Sequence, residues 1–181
     1  YICYDFYMYS TTVAAAFENL QIVADACRST GRSMWIVLQV NSNRPAEWIS
    51  ENQLRFQAYS AMAFGAENII WACYTAGWWH NQVLDDKGEK TEQYDKLKKI
   101  NAELAALGRE YMRFERTSTH FIGDPAAPDY ARLIHPPVDS LSDGVFMDVR
   151  AEHGESLIAG QMVSRTRDGS RALMLCAADD S

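Results

Sequence analysis

The chain lacks most of the features that assign a function quickly. No stretch approaches the ~20 consecutive apolar residues needed to span a bilayer, and no charged-then-apolar leader pattern stands at its start. There are only four cysteines. Cys3, Cys27, Cys73 and Cys176 each lie in an apolar segment, without C-x-x-C or Cys/His spacing. That scatter argues against a zinc site or disulfide framework and reads as buried free thiols in a reducing, cytoplasmic setting. No glycine-rich phosphate loop follows any strand pattern, so a nucleotide fold has no support and no cofactor or metal is expected. Long like-charge blocks are also missing. The formal charge is −7, from 24 acidic and 17 basic residues, which argues against nucleic acid or an anionic membrane as partner and leaves neutral, hydroxyl-rich or small molecules. There is no internal repeat and no low-complexity segment.

What the chain does have is 48% apolar residues over 181 positions, enough to bury a real core. Residues 1–9, YICYDFYMY, are rich in strand formers and hold one charge, Asp5. Leu20, Val23, Ala24 and Cys27 repeat at helical spacing, with Gly31 as the stop. Met34 to Val40 is an apolar run of strand length with Gln39 near its end. Ser50 and Gln53 have the form of a capping box, opening a helix that carries Leu54, Ala58, Ala61, Met62 and Gly65 on one face. Asn68 to Tyr74 is apolar on both faces, the pattern of a parallel strand covered on both sides. Thr91 is the expected N-cap of a third helix running through Leu97, Ile100, Leu104 and Leu107 to Gly108.

Beyond Arg109 the helical period disappears, and Pro125, Pro128, Pro136 and Pro137 mark a loop-rich stretch. Val145 to Val149, Ser156 to Ser164 and Arg171 to Ala177 read as strands, the last two joined as a hairpin around Arg167-Asp168-Gly169. The pattern predicts two regions, a strand–helix alternation over 1–110 and a β-rich, sandwich-like part over 111–181. Every early strand finishes in polar or aromatic side chains, the way a (β/α)₈ barrel builds its site. The expected fold class is therefore α/β, the C-terminal three βα units of a TIM barrel followed by part of an antiparallel β domain. Such a barrel needs ~250 residues, and the chain opens on what reads as the middle of a strand. An excerpt of a longer protein is the expectation.

On that arrangement Asp5 with Tyr7, Gln39 with Asn41, and Tyr74 with Trp78, Trp79 and His80 converge on one mouth. Aromatic faces stack on the C–H face of a pyranose, and carboxylate, carboxamide and imidazole groups serve its hydroxyls, so a carbohydrate is the expected ligand. Each residue has a structural alternative. Asp5 suits a buried carboxylate bonded to backbone or arginine, Gln39 a tether for loop backbone groups, the tryptophans packing against the next region, and His80 a surface position. Glycoside hydrolysis also needs two carboxyl groups, and the strand ends supply one. Glu47, Glu51 and Glu67 lie near helix ends, where the helix dipole and solvent explain them, and Asp85 and Asp86 sit in a turn.

The succession Asp5-Phe6-Tyr7, Phe17-Glu18-Asn19-Leu20, Met34 to Gln39, Leu54 to Tyr59, Gly65-Ala66, Asp86-Lys87-Gly88 and Asn101 to Leu104 resembles the C-terminal part of the barrel in glycoside hydrolase family 42-like β-galactosidases and their bacterial relatives. The resemblance covers most of residues 1–110 and, more loosely, the remainder. It implies that Asp5, Gln39 and Tyr74 end strands six, seven and eight, with the general acid/base on a strand outside this chain. It places Leu38 where the family has its nucleophilic glutamate, and a leucine cannot attack an anomeric carbon. Two readings remain open: a hydrolase in which Asp5 is catalytic, with Tyr7, Gln39, Asn41, Tyr74, Trp78, Trp79 and His80 binding substrate, or a carbohydrate-binding protein without turnover. In either case the isolated chain is expected to be inactive. A third reading is homo-oligomer formation through unpaired sheet edges.

Overall fold

The computed structural model describes residues 1–75, 77, 79–123, 130, 132–152 and 155–178. Strand β1 (Ile2–Asp5) leads through a single 3₁₀ turn, Met8–Ser10, into helix α1 (Val13–Thr30). The helix starts earlier than its apolar spacing indicated, because the Thr12 hydroxyl accepts from the Ala15 N–H (3.1 Å) and caps it. It stops where expected, at Gly31, whose φ of 62° is the left-handed conformation that glycine adopts without a Cβ penalty. Strand β2 (Met34–Gln39) follows, then α2 (Glu51–Ala63). Ser50 and Gln53 close both halves of the capping box, at 3.1 and 3.0 Å. Strand β3 (Ala66–Ala72) begins two residues before the apolar run suggested, and α3 (Glu92–Tyr111) begins behind its Thr91 cap.

Strands β1, β2 and β3 form a parallel sheet in that order, with Tyr4, Ile36 and Ile69 aligned on one face and Asp5, Val37 and Ile70 in the next row. The helix side buries Met34, Ile36 and Leu38. The opposite face is bare among the described residues: Cys3 and Asp5 are exposed, Ile70 is 41% exposed, and Tyr1 stacks on Trp35 at 4.1 Å. The expectation that Asn68 to Tyr74 is covered on both sides is thus corrected, as is burial of the Cys3 thiol. Cys27 is buried, Cys73 and Cys176 are half-buried, and all four are free thiols.

After α3 the chain turns within two residues into β4 (Phe114–Ile122), which pairs antiparallel with β5 (Leu157–Ser164), itself paired with β6 (Arg171–Ala177). The sequence reading missed β4. Its alternation is blurred because Arg116, Thr117, Ser118, Thr119 and His120 are polar on both faces. The hairpin at Arg167-Asp168-Gly169 forms, with Arg167 and Gly169 at φ 57° and 84° and the Asp168 carboxylate accepting from the Ser170 N–H (2.8 Å). Val145 to Val149 is not a strand. The Asp143 carboxylate accepts from the Val145 and Phe146 N–H groups (3.0 and 2.9 Å) and folds a turn, leaving one bridge, Leu141 to Val149.

The expected fold class is therefore corrected. The described residues hold an open three-stranded parallel sheet and a three-stranded antiparallel sheet, not three units of a (β/α)₈ barrel followed by a β domain. Helix α1 contacts β4, while α2 contacts β5 and β6. One apolar core runs through all of them, centred on Phe17, Phe64, Phe121 and Tyr130, with Phe17 and Phe121 edge to face at 4.8 Å. Complete burial of a side chain such as Phe17 contributes roughly 1.5–3 kcal/mol. Strand–helix alternation with polar strand ends is a local pattern that open sheets share, whereas closure depends on strand pairings that no local pattern encodes. The helices are also pinned by charge: Arg55 on α2 donates through Nε and Nη2 to both Glu103 oxygens on α3 (2.8 and 2.7 Å).

Candidate functional site

The chain ends β1 at Asp5, which is exposed, and turns so that the Tyr7 phenol comes under the influence of its carboxylate. The Tyr7 ring meets Trp79 edge to face, with centroids 5.1 Å apart and planes at 66°. The phenol is pushed up to about 12, first by burial, then by the negative charge of Asp5 and the nearby Cys73, then by the hydrogen bond to Asp5. It therefore stays protonated near neutral pH.

Gln39 ends β2 at 1% exposure, and its polar groups are committed inside the fold. Nε2 donates to Ser10 Oγ (3.0 Å) and to the Asn41 carbonyl (2.9 Å), while Oε1 accepts from the Tyr9 N–H (3.0 Å). Its backbone is clamped by Gln57 of α2, whose Oε1 accepts from the Gln39 N–H (3.0 Å) and whose Nε2 donates to the Gln39 carbonyl (2.7 Å). The residue ties the turn after β1 to the loop after β2. Asn41, fully buried, has the opposite character: neither Oδ1 nor Nδ2 meets a partner. An unpaired buried amide is costly.

The loop after β3 is folded back over this end of the sheet. Ser42 and His80 exchange both backbone hydrogen bonds (2.9 and 2.8 Å), and the Leu84 N–H returns to the Tyr74 carbonyl at 2.8 Å. Asn81, at φ 62°, sends Nδ2 to the Pro45 and Glu47 carbonyls (3.1 and 2.6 Å). Asparagine tolerates that left-handed backbone better than most residues. Gln82 Nε2 donates to the Trp79 carbonyl, and Gln93 of α3, fully buried, donates to the Val40 and Ile49 carbonyls (2.8 and 3.2 Å). Tyr74 is 52% exposed and His80 is exposed. Trp78 lies outside the described residues.

The structure thus gathers Asp5, Tyr7 and Trp79 into one contact chain and joins the Asn41 and His80 loops by backbone pairing. Tyr74 stands at the neck of its loop, and Gln39 lies beneath as a tether. Sequence reasoning missed Gln57, Cys73, Asn81 and Gln93. Gln57 was detectable, as a polar residue inside the small-apolar face of α2. The other three carried no periodic signal, since Gln93 sits in a first helical turn and Asn81 in a loop.

Glu47, Glu51, Glu67 and Asp85 have other employment. Glu47 pairs with Arg44 (2.8 Å), Glu51 with Arg55 and Lys99 (2.5 and 2.6 Å), and Glu67 with Arg165 (2.6 Å). The Asp85 carboxylate accepts from the Lys87 and Glu89 N–H groups (2.9 and 2.8 Å), as a turn former does. Leu38 is 3% exposed and packs in the helix-side core. Among the described residues, no three His, Cys, Asp or Glu side chains come together to hold a metal ion, and no helix is long and apolar enough to cross a membrane. No family model, no curated protein and no solved structure matches the chain.

Proposed function

We propose that the mouth formed by Asp5, Tyr7, Asn41, Trp79 and His80 recognises a carbohydrate, a pyranose of the β-galactoside-like class. The observation that carries this reading is the Asp5–Tyr7–Trp79 succession, in which one phenol senses the carboxylate and meets the indole edge to face. A carboxylate accepts from two sugar hydroxyls while an aromatic face covers the C–H face of the ring. The resemblance to family 42-like glycoside hydrolases supports the choice of sugar.

Recognition without turnover fits the residues better than hydrolysis. Hydrolysis needs a second carboxyl group ~5–9.5 Å from the first, and Glu47, Glu51, Glu67 and Asp85 are already engaged in ion pairs or a turn. Exposure of Asp5 at the mouth favours hydrolysis as the second reading, with Asp5 as the catalytic carboxylate. The reading extends to homo-oligomers, because β1 and β3 each pair on one side only among the described residues; sedimentation as a strict monomer would remove that part. Calorimetric titration with methyl β-galactoside and methyl β-glucoside tests the main statement. Saturable binding without release of methanol is expected; absence of binding to both sugars refutes recognition, and steady methanol release favours the hydrolase.

A further inference from the structure

At the opposite end of the parallel sheet, below the N-terminal ends of β2 and β3, a cavity of about 330 Å³ opens between the end of α1, the turn before β3 and strand β4. Its wall carries four arginines, Arg28, Arg32, Arg116 and Arg165, against two glutamates, Glu67 and Glu115. This is a local excess of positive charge in a chain whose formal charge is −7.

Arg116 is the built part of this wall. Its side chain is only 7% exposed. Nε donates to Thr119 Oγ1 (2.6 Å) and Nη2 to Asp25 Oδ1 (3.2 Å), but Nη1 is buried and meets no acceptor. The fold makes room for this guanidinium. The stem crosses Gly65, where an added Cβ would stand 3.0 Å from both Arg116 Cβ and Cδ, and Gly65 itself sits at φ +92°. A buried cationic N–H without an acceptor costs more than an ordinary unpaired donor. Asp25 also makes a hydrogen bond with His135 Nε2 (2.9 Å). Burial is the first influence lowering the pKa of Arg116; Asp25 opposes it, and the neighbouring charge of Arg28 lowers it further.

The other arginines divide in two. Arg165 is spent on Glu67 (2.6 Å) and on the Phe114 carbonyl (2.9 Å). Arg28 and Arg32 are exposed at the rim and carry no ion pair among the described residues. Arg28 stands in the last turn of α1, where a cation complements the helix dipole. The dipole accounts for its position but not for the orphaned Nη1 of Arg116 on the facing wall.

We propose that this cavity is a binding site for a phosphate group, held at its rim by Arg28 and Arg32 above the buried positive charge of the Arg116 guanidinium. A monocarboxylate presents two coplanar oxygens and is satisfied by one guanidinium, whereas a phosphate dianion offers oxygens in several directions and calls for more than one. The phosphate comes either as the free ion or as the head of a small phosphomonoester, and the cavity has space for a short organic group beside it.

The test is calorimetric titration of the whole chain with inorganic phosphate and, separately, with glycerol phosphate, at fixed ionic strength of about 0.15 M so that general screening stays constant. Saturable binding of either supports the site; tighter binding of the ester assigns an ester, and equal binding assigns the free ion. Arg28→Gln and Arg32→Gln are exposed changes that should leave the phosphate-free protein folded, while each weakens binding roughly tenfold through loss of a charge-assisted contact. Arg116→Gln, which removes the buried charge beneath the site, should reduce the phosphate-induced rise in melting temperature. Absence of saturable binding to both probes overturns the proposal. So does binding that survives the Arg28→Gln/Arg32→Gln double variant undiminished, which would mark an adventitious surface site.

Discussion

Gly160 of β5 lies so close to Ala63, the last residue of α2, that a Cβ on the glycine would stand 2.3 Å from the Ala63 carbonyl oxygen. That oxygen is a helix-terminal acceptor with no partner inside its own helix, and Thr119 Oγ1 of β4 donates to it at 2.8 Å. Tyr111 supplies the neighbouring Met62 carbonyl at 2.9 Å. The end of α2 is thus capped by the antiparallel sheet and its approach, which fixes how that sheet sits on the helices.

Gly160→Ala should therefore destabilise the protein by about 1–3 kcal/mol, the range for forcing extra atoms into a packed contact. Chemical denaturation measures it. A variant as stable as the parent would mean that β5 does not press on α2.

Ser50→Ala should cost about 1 kcal/mol, because it leaves the Gln53 N–H without its side-chain acceptor and breaks the capping box. The loss should show in the denaturation midpoint and not in the slope, since the exposed area on unfolding is unchanged.

His120 gives a pH dependence with a defined sign. Its pKa is lowered from 6.5, first by burial, against the hydrogen bond to Gln161, and further by the charges of Arg116 and His135. The unfolded chain therefore takes up a proton that the folded chain refuses. The stability contributed by neutral His120 is complete above pH 6.5 and is lost as pH falls below it, until the folded histidine also titrates. His120→Gln should flatten the stability profile in that window; an unchanged slope between neutral pH and pH 5 would exclude the mechanism.

Asp5→Asn should bring the Tyr7 phenol down from about 12 but leave it above its ordinary value of 10, because burial is the largest cause and remains when the Asp5 charge is removed. Titration of the Tyr7 ring resonance, assigned through Tyr7→Phe, measures the shift. An unaltered pKa would separate Tyr7 from Asp5.

Where the sequence reading worked, the signal was local. The Ser50–Gln53 box, the Thr91 cap, the Gly31 stop and the Asp168-Gly169 turn are each set within a few residues, and each stands where the spacing placed it. Closure was not local. Nothing in residues 1–110 records whether β1 and β3 acquire further neighbours, and the alternation that suggested a barrel also describes an open sheet with one bare face. β4 escaped because its polar residues satisfy Ala63, Asp25 and Gln161 across the structure, contacts between residues distant in sequence. At the mouth, Asp5 and Trp79 were legible as unusual residues at strand ends. That Gln39 ties loops together while Asn41, two residues on, is left without a partner depends on side-chain directions that sequence does not reveal.

The most direct test of the carbohydrate reading follows the Trp79 indole N–H by nuclear magnetic resonance during titration with methyl β-galactoside, with the resonance assigned through Trp79→Phe. The account predicts a saturable shift of that indole, with affinity reduced roughly two- to tenfold in Trp79→Ala from the lost aromatic contact. It also predicts a roughly fivefold or greater reduction in Asp5→Asn, as a charge-assisted hydrogen bond becomes a neutral one. An indole that does not move while the sugar is added, or binding equally tight in both variants, would contradict it.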